Sequence, residues 1–228
     1  MDANVPKLIN KQLHYKGNYL SFFTKDFEIT KPEIQKIITK KYEILEYKPK
    51  NLNQNCKKDS NICAISIIPI IKSKPKKIII ISVFRYTINK YSLEFPTNYI
   101  NKQENENIDK LIEESANSEI EEKTGYKGKF KCVLSKFFGE KNIKMDNNVF
   151  FDPWKSTDNA IECVVEINEE NLKNKDKNKN KTEKVFEIEI EKLLDFITEK
   201  INKEQYACSV ELYNFAFGIN FNKYLNKI

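Results

Sequence analysis

Between residues 108 and 126 the apolar side chains Ile108, Ile112, Ala116 and Ile120 recur at four-residue spacing, and the run stops at Gly125. Such a period predicts a helix with one packed face. Gly125 stands where a helix ends in the left-handed conformation, turning the chain through Tyr126 toward a strand. The closing residues, SEIEEKTGY from Ser118 to Tyr126, set Glu119 and Glu122 three apart on the other face. Two carboxylates at that spacing share a side and suit a divalent cation, or else form an acidic face in solvent. Lys123 follows Glu119 by four residues and projects onto the same side.

Around this helix the pattern predicts an α/β sandwich. Two β-rich runs, Ile62 to Ile71 and Ile78 to Tyr86, are joined across Lys72 to Lys77 with Pro75 and read as a hairpin. Asn18 to Phe23, Tyr42 to Tyr47, Phe130 to Ser135, Asn148 to Asp152 and Ala160 to Ile167 read as further strands. In the last of these, Ile161, Cys163, Val165 and Ile167 alternate onto one side. TKPE, from Thr30 to Glu33, carries capping-box letters with an early proline and predicts a helix start. Glu189 to Ile201 and Glu204 to Phe221 read as closing helices, the second placing Val210, Phe217 and Phe221 near one face.

At 228 residues and 40% hydrophobic content the chain is long enough for one sizeable core. No apolar run approaches the roughly 20 residues that cross a bilayer, and the first ten residues lack the apolar centre of a secretory signal. No membrane partner is expected, and the default location is cytoplasmic. Five cysteines form neither a CxxC pair nor a regular framework and read as reduced. A single histidine, His14, leaves little for zinc or a histidine triad. The formal charge of +6 is dispersed, with much of it in NLKNKDKNKNKTEK (residues 171–184), a low-complexity insertion between strand and helix. No clustered basic face with interleaved aromatics points to nucleic acid.

SEIEEKTGY resembles the end of the Nudix box, G-x5-E-x7-R-E-U-x-E-E-x-G-U with U a bulky aliphatic. Glu119, Ile120, Glu122 and Tyr126 match its letters, whereas Ser118 stands for the Arg, Lys123 for the last core Glu and Lys110 for the upstream Glu. The box Gly falls on Glu104 by spacing, or on Asn98 when counted from the upstream strand. The resemblance runs from about residue 19 to 221 and is to the ADP-ribose and ADP-sugar pyrophosphatase branch. ICAISIIPII, IIIISVFRY and SLEFP parallel that branch's "AVIPVL", "VKQFRPP" and "EFPAG" in order and spacing. Phe151-Asp152-Pro153 resembles its "MDPG" loop, with Trp154 in place of Gly.

The resemblance implies a Nudix-type α/β/α sandwich, a mixed sheet with flanking helices, in residues 57–228. It also implies a small β-rich N-terminal segment, residues 1–56, that forms a homodimer. It further implies Mg2+-dependent hydrolysis, with Mn2+ as the other candidate ion, of a nucleoside diphosphate sugar such as ADP-ribose to AMP and ribose 5-phosphate. Metal binding falls to Glu119 and Glu122 with help from Glu94, and diphosphate contact to Arg85. Tyr19 and Tyr42 come near the adenine-stacking positions, where the other reading is cover for the sheet edge. Glu183 or Glu187 is the candidate general base. Lys123 reverses a ligand's sign, an exchange worth on the order of several kcal/mol at 4 Å from a dication at an effective dielectric of ~20. Two outcomes follow: a hydrolase with weakened metal ligation, or a catalytically silent Nudix-fold protein that binds a nucleotide or a partner.

Overall fold

The computed structural model describes residues 7–17, 20–31, 36–47, 62–101, 107–134, 160–168 and 184–225. Tyr19, Glu183, the strand expected at 148–152 and the Phe151-Asp152-Pro153 segment lie outside them. The chain divides into two units: residues 1–64, 101–104 and 145–160, and residues 65–100, 105–144 and 161–228.

The first unit carries an antiparallel meander of β1 (Lys7–Lys16), β2 (Leu20–Lys31) and β3 (Lys36–Tyr47). Phe23, Ser21 and Thr24 of the middle strand are buried, while β1 is exposed along its whole length. Lys11 and Lys25 both reach Glu46, at 2.7 and 2.8 Å. Burial would raise Glu46, but hydrogen bonds from the two lysines outweigh it and hold the carboxyl below its usual range. Among the described residues no helix follows TKPE, whose Pro32 and Glu33 lie outside them: β2 continues through Thr30 and Lys31, and Ile29, Thr30 and Lys31 pair with Ile38, Ile37 and Lys36. Backbone pairing between β2 and β3 outweighs four capping letters here.

The second sheet is mixed, in the order β11-β6-β5-β4-β9-β8, with β10 paired to β5 and β7 to β4. Its strands are β4 (Ile62–Ile71), β5 (Lys77–Arg85), β6 (Lys90–Glu94), β7 (Thr97–Asn101), β8 (Gly128–Val133), β9 (Ala160–Ile167), β10 (Lys184–Glu189) and β11 (Ala207–Cys208). Among the described residues three helices accompany it: α1 (Ile108–Thr124), α2 (Leu193–Glu204) and α3 (Val210–Leu225). The expected hairpin is β4–β5, with Ile70 opposite Ile78 and Ile71 opposite Lys77. Ile78, Ile79, Ile80 and Ile81 are all buried, so β5 is covered on both faces.

Alternation along β5 decides what each face meets. Ile78 and Ile80 join Ile68, Leu93, Phe95 and Ile188 in a core closed by Leu193, Ile197, Leu212 and Ala216 of α2 and α3. The opposite face receives α1, whose Ile112, Ala116 and Ile120 are fully buried. Gly128 leaves room for Val165 on the neighbouring strand, whose Cγ1 would lie 2.2 Å from a Cβ there, and Ile120 Cγ2 of α1 comes to 3.6 Å of the same point, an ordinary contact. The result is a helix, sheet and helix layering. The sequence pattern started a helix at Glu189, but residues 184–189 form β10 against β5, and α2 begins only at Leu193 after a single 3-10 turn.

Candidate functional site

α1 is fixed at both ends. Asn107 caps its start, accepting from the backbone N–H of Asp109 at 3.0 Å and of Lys110 at 3.3 Å. Gly125 closes it at φ 77°, its N–H donating to the Glu121 carbonyl at 3.0 Å. Thr124 Oγ1 donates to the Ile120 carbonyl at 2.5 Å and accepts from the Tyr126 N–H at 3.2 Å, so the turn after the helix is also tied down. The acidic segment therefore has a defined direction.

Among the acids of α1, Glu119 is the one that is buried, at 5% exposure, while Glu113, Glu114, Glu121 and Glu122 are exposed. Glu119 sits beside Ile120 on the flank of the packed face, and Glu122 faces outward. Lys123 is half-buried one turn after Glu119. Among the described residues no three His, Cys, Asp or Glu side chains converge as a metal-binding group. Two box carboxylates would still suit Mg2+, which keeps several waters and takes one or two carboxylates plus substrate phosphates.

Arg85 and Glu94 meet directly on the α1 side of the sheet. Arg85 Nε donates to Glu94 Oε1 at 2.8 Å, and Nη2 donates to Oε2. The strand register puts Lys90 opposite Arg85 and Ile81 opposite Glu94. The two side chains together thus span about 13 Å of strand, four residues of rise. The Arg85 side chain is 49% exposed and that of Glu94 13%. Such a pair contributes about 1 kcal/mol or less to stability, but its bidentate geometry fixes orientation.

Glu187 lies on β10 opposite Ile79, which puts it on the same face. It accepts from the Tyr126 hydroxyl and has Lys77 Nζ at 3.9 Å. Its carboxylate is thereby tied to the turn that ends α1. Tyr42 belongs to the first unit, 42% exposed and edge-on to Phe27 with centroids 5.9 Å apart. Glu119, Glu122, Arg85, Glu94 and Glu187 thus share one side of one sheet, while Tyr42 is in a different unit and Tyr19 and Glu183 lie outside the described residues.

The sequence reading passed over a second set of acids under α3. Glu162 has the parity of Val164, which packs on the helix-covered core, and Glu211 precedes the buried Leu212. Burial pushes the Glu162 carboxyl up. Burial also pushes Glu211 up; the Ser66 hydroxyl opposes the shift, and the charges of Glu162 and Glu94 add to it. No hydrogen bond of normal geometry reaches Ser66 Oγ, and Ser82 Oγ is likewise buried without one. The available signal was a Glu at an inward position of an alternating strand.

No family model matches the chain. No curated protein matches it either. Among solved structures it is similar to one described as an ADP compounds hydrolase, with a TM-score of 0.55 and 14% identity, covering 96% of this chain and 95% of that one. At that identity the likeness is one of fold, and it extends over nearly the whole of both chains.

Proposed function

We propose that this chain is a Nudix-type hydrolase acting on a nucleoside diphosphate sugar of the ADP-ribose class. In this reading Mg2+ or Mn2+ is held by Glu119 and Glu122, with Glu94 assisting, and Arg85 contacts the diphosphate. Water attacks one phosphorus and the bridging P–O bond breaks, giving AMP and ribose 5-phosphate. The bound metal would neutralise the diphosphate and activate that water. Glu183 or Glu187 serves as general base, Tyr19 and Tyr42 stack on the adenine, and residues 1–56 form a homodimer. What supports the reading is the Arg85–Glu94 pair on the sheet face against which α1, with its buried Glu119, packs, in a fold shared with an ADP compounds hydrolase.

Glu187 is the weaker choice of base, because its carboxylate already accepts from Tyr126 and lies near Lys77. A base must reach the proton that it removes, directly or through one water.

A second reading has its own support: Lys123 occupies a ligand position of the box, and no three-ligand group forms among the described residues. In that reading the chain binds a nucleotide and does not cleave it. Hydrolysis of ADP-ribose and ADP-glucose with Mg2+ or Mn2+, run beside Lys123→Glu, separates the two. Wild-type turnover at ordinary enzyme rates supports the hydrolase. An inert wild type whose Lys123→Glu variant turns over supports a silent protein on a competent scaffold. If both are inert and neither binds ADP-ribose, the nucleotide assignment itself fails.

A further inference from the structure

Under the first turn of α3 the fold collects two carboxyls and two hydroxyls. Ser209, the residue before the helix, donates its N–H to the Leu93 carbonyl at 2.9 Å, and its Oγ accepts from the Leu212 N–H at 3.3 Å. That contact seats the helix start over β6, where Leu93 lies opposite Ser82 of β5. Glu211 stands in the first turn beside Leu212 of the core, and the Ser66 hydroxyl of β4 is close enough to act on its carboxyl. Glu162 enters from β9 at the parity of Val164, on the same side of the sheet, and its charge is felt at Glu211. Ser66 and Ser82 are at 0% exposure, and among the described residues neither Oγ has a hydrogen-bond partner.

Each of these groups opposes folding as it stands: a buried hydroxyl lacks a partner, and a partly buried carboxylate lacks a counter-charge. The chain has 39 lysines and arginines, yet among the described residues none forms an ion pair with Glu162 or Glu211. Glu94 is turned to the other face and held there by Arg85. We propose that Glu162, Glu211 and Ser66 bind a hard divalent cation, with Ser82 Oγ hydrogen-bonded to one of its waters. One ion then answers both deficits. Two carboxylates and a hydroxyl make an all-oxygen set, which suits Ca2+ or Mg2+ over softer metals, and two negative charges match a dication. Half-buried Glu162 leaves room for water to complete the coordination shell. Ca2+ fits better, because it accepts irregular shells, whereas Mg2+ gives up water reluctantly and apolar neighbours such as Val164 and Leu212 offer that water nothing. The set lies on the opposite face of the sheet from Glu119 and Glu122, so it stands whether or not those acids hold metal.

Thermal melting of the full chain in EDTA and in millimolar CaCl2 tests this. At neutral pH, calcium at a hundred times its dissociation constant is expected to raise the melting temperature by roughly 5 °C or more. The gain should shrink toward pH 5, because protons compete for the same carboxyls. Glu162→Gln/Glu211→Gln should abolish it, and Glu119→Gln/Glu122→Gln should leave at least half. Ser66→Ala should weaken calcium binding about tenfold while the melting temperature in EDTA holds or rises, since it removes an unpartnered buried hydroxyl. That variant decides the matter if the double variant fails to fold. A wild type indifferent to calcium overturns the proposal, as does a calcium affinity unchanged by Ser66→Ala. So does a gain that survives Glu162→Gln/Glu211→Gln and disappears in Glu119→Gln/Glu122→Gln, which would assign the ion to α1.

Discussion

Glu211 is a partly buried acid whose folded environment disfavours its charge. Burial raises its carboxyl above the ordinary value, with Glu162 and Glu94 adding to the shift. An acid raised on folding contributes stability that is fully present below the unfolded value and lost as pH rises through the folded one. Melting temperature should therefore fall as pH rises above the ordinary carboxylate range, and Glu211→Gln should flatten that limb, adding on the order of 1 kcal/mol at neutral pH. A wild type and variant that melt in parallel from pH 4 to 8 would contradict this. The cysteines give a second check. Burial pushes the thiols of Cys163 and Cys208 up to about 12. At pH 8 the thiolate is then about one part in ten thousand, and both should label with a disulfide reagent orders of magnitude more slowly than in the unfolded chain. Arg85 and Glu94 stood out in the sequence, but their mutual pairing did not, because strand register decides which side chains meet. Glu162 and Glu211 went unnoticed for the same reason: each becomes unusual only when α3 closes over β9.

Helix α1 was readable because its signals are local. A four-residue apolar period and a glycine stop depend on nothing distant, and Ile112, Ala116, Ile120 and Gly125 behave accordingly. Gly125→Ala should cost about 1 to 2 kcal/mol, since φ 77° is unfavourable for a residue with a Cβ. Asn107→Ala should cost about 1 kcal/mol through loss of the cap. Denaturant melts would show both, and no loss at Gly125 would mean that the turn relaxes. Elements set by distant partners were misread. TKPE carries helix-start letters, yet β2 and β3 pair through this region, and β10 is a strand because β5 lies beside it. For α3, periodicity put Val210, Phe217 and Phe221 on one face but could not say which apolar face turns inward. Leu212 and Ala216, the smaller set, took the core.

Across the whole molecule, ligand binding should appear as stability. ADP-ribose with Mg2+ at a hundred times its dissociation constant adds about 2.7 kcal/mol, which for a chain of this size raises the melting temperature by roughly 5 to 10 °C. A shift without turnover distinguishes a silent binder from a hydrolase, and the absence of any shift counts against both. The bidentate contact between Arg85 and Glu94 adds a condition to that experiment. An anion that takes the same two N–H groups of Arg85 displaces the carboxylate, and the displaced carboxylate becomes an oxygen ligand for a cation. Each ligand then prepares the place of the other. By reciprocity a divalent ion should strengthen diphosphate binding by the same factor as diphosphate strengthens the ion's. Glu94→Gln would leave each able to bind alone and remove most of that mutual gain.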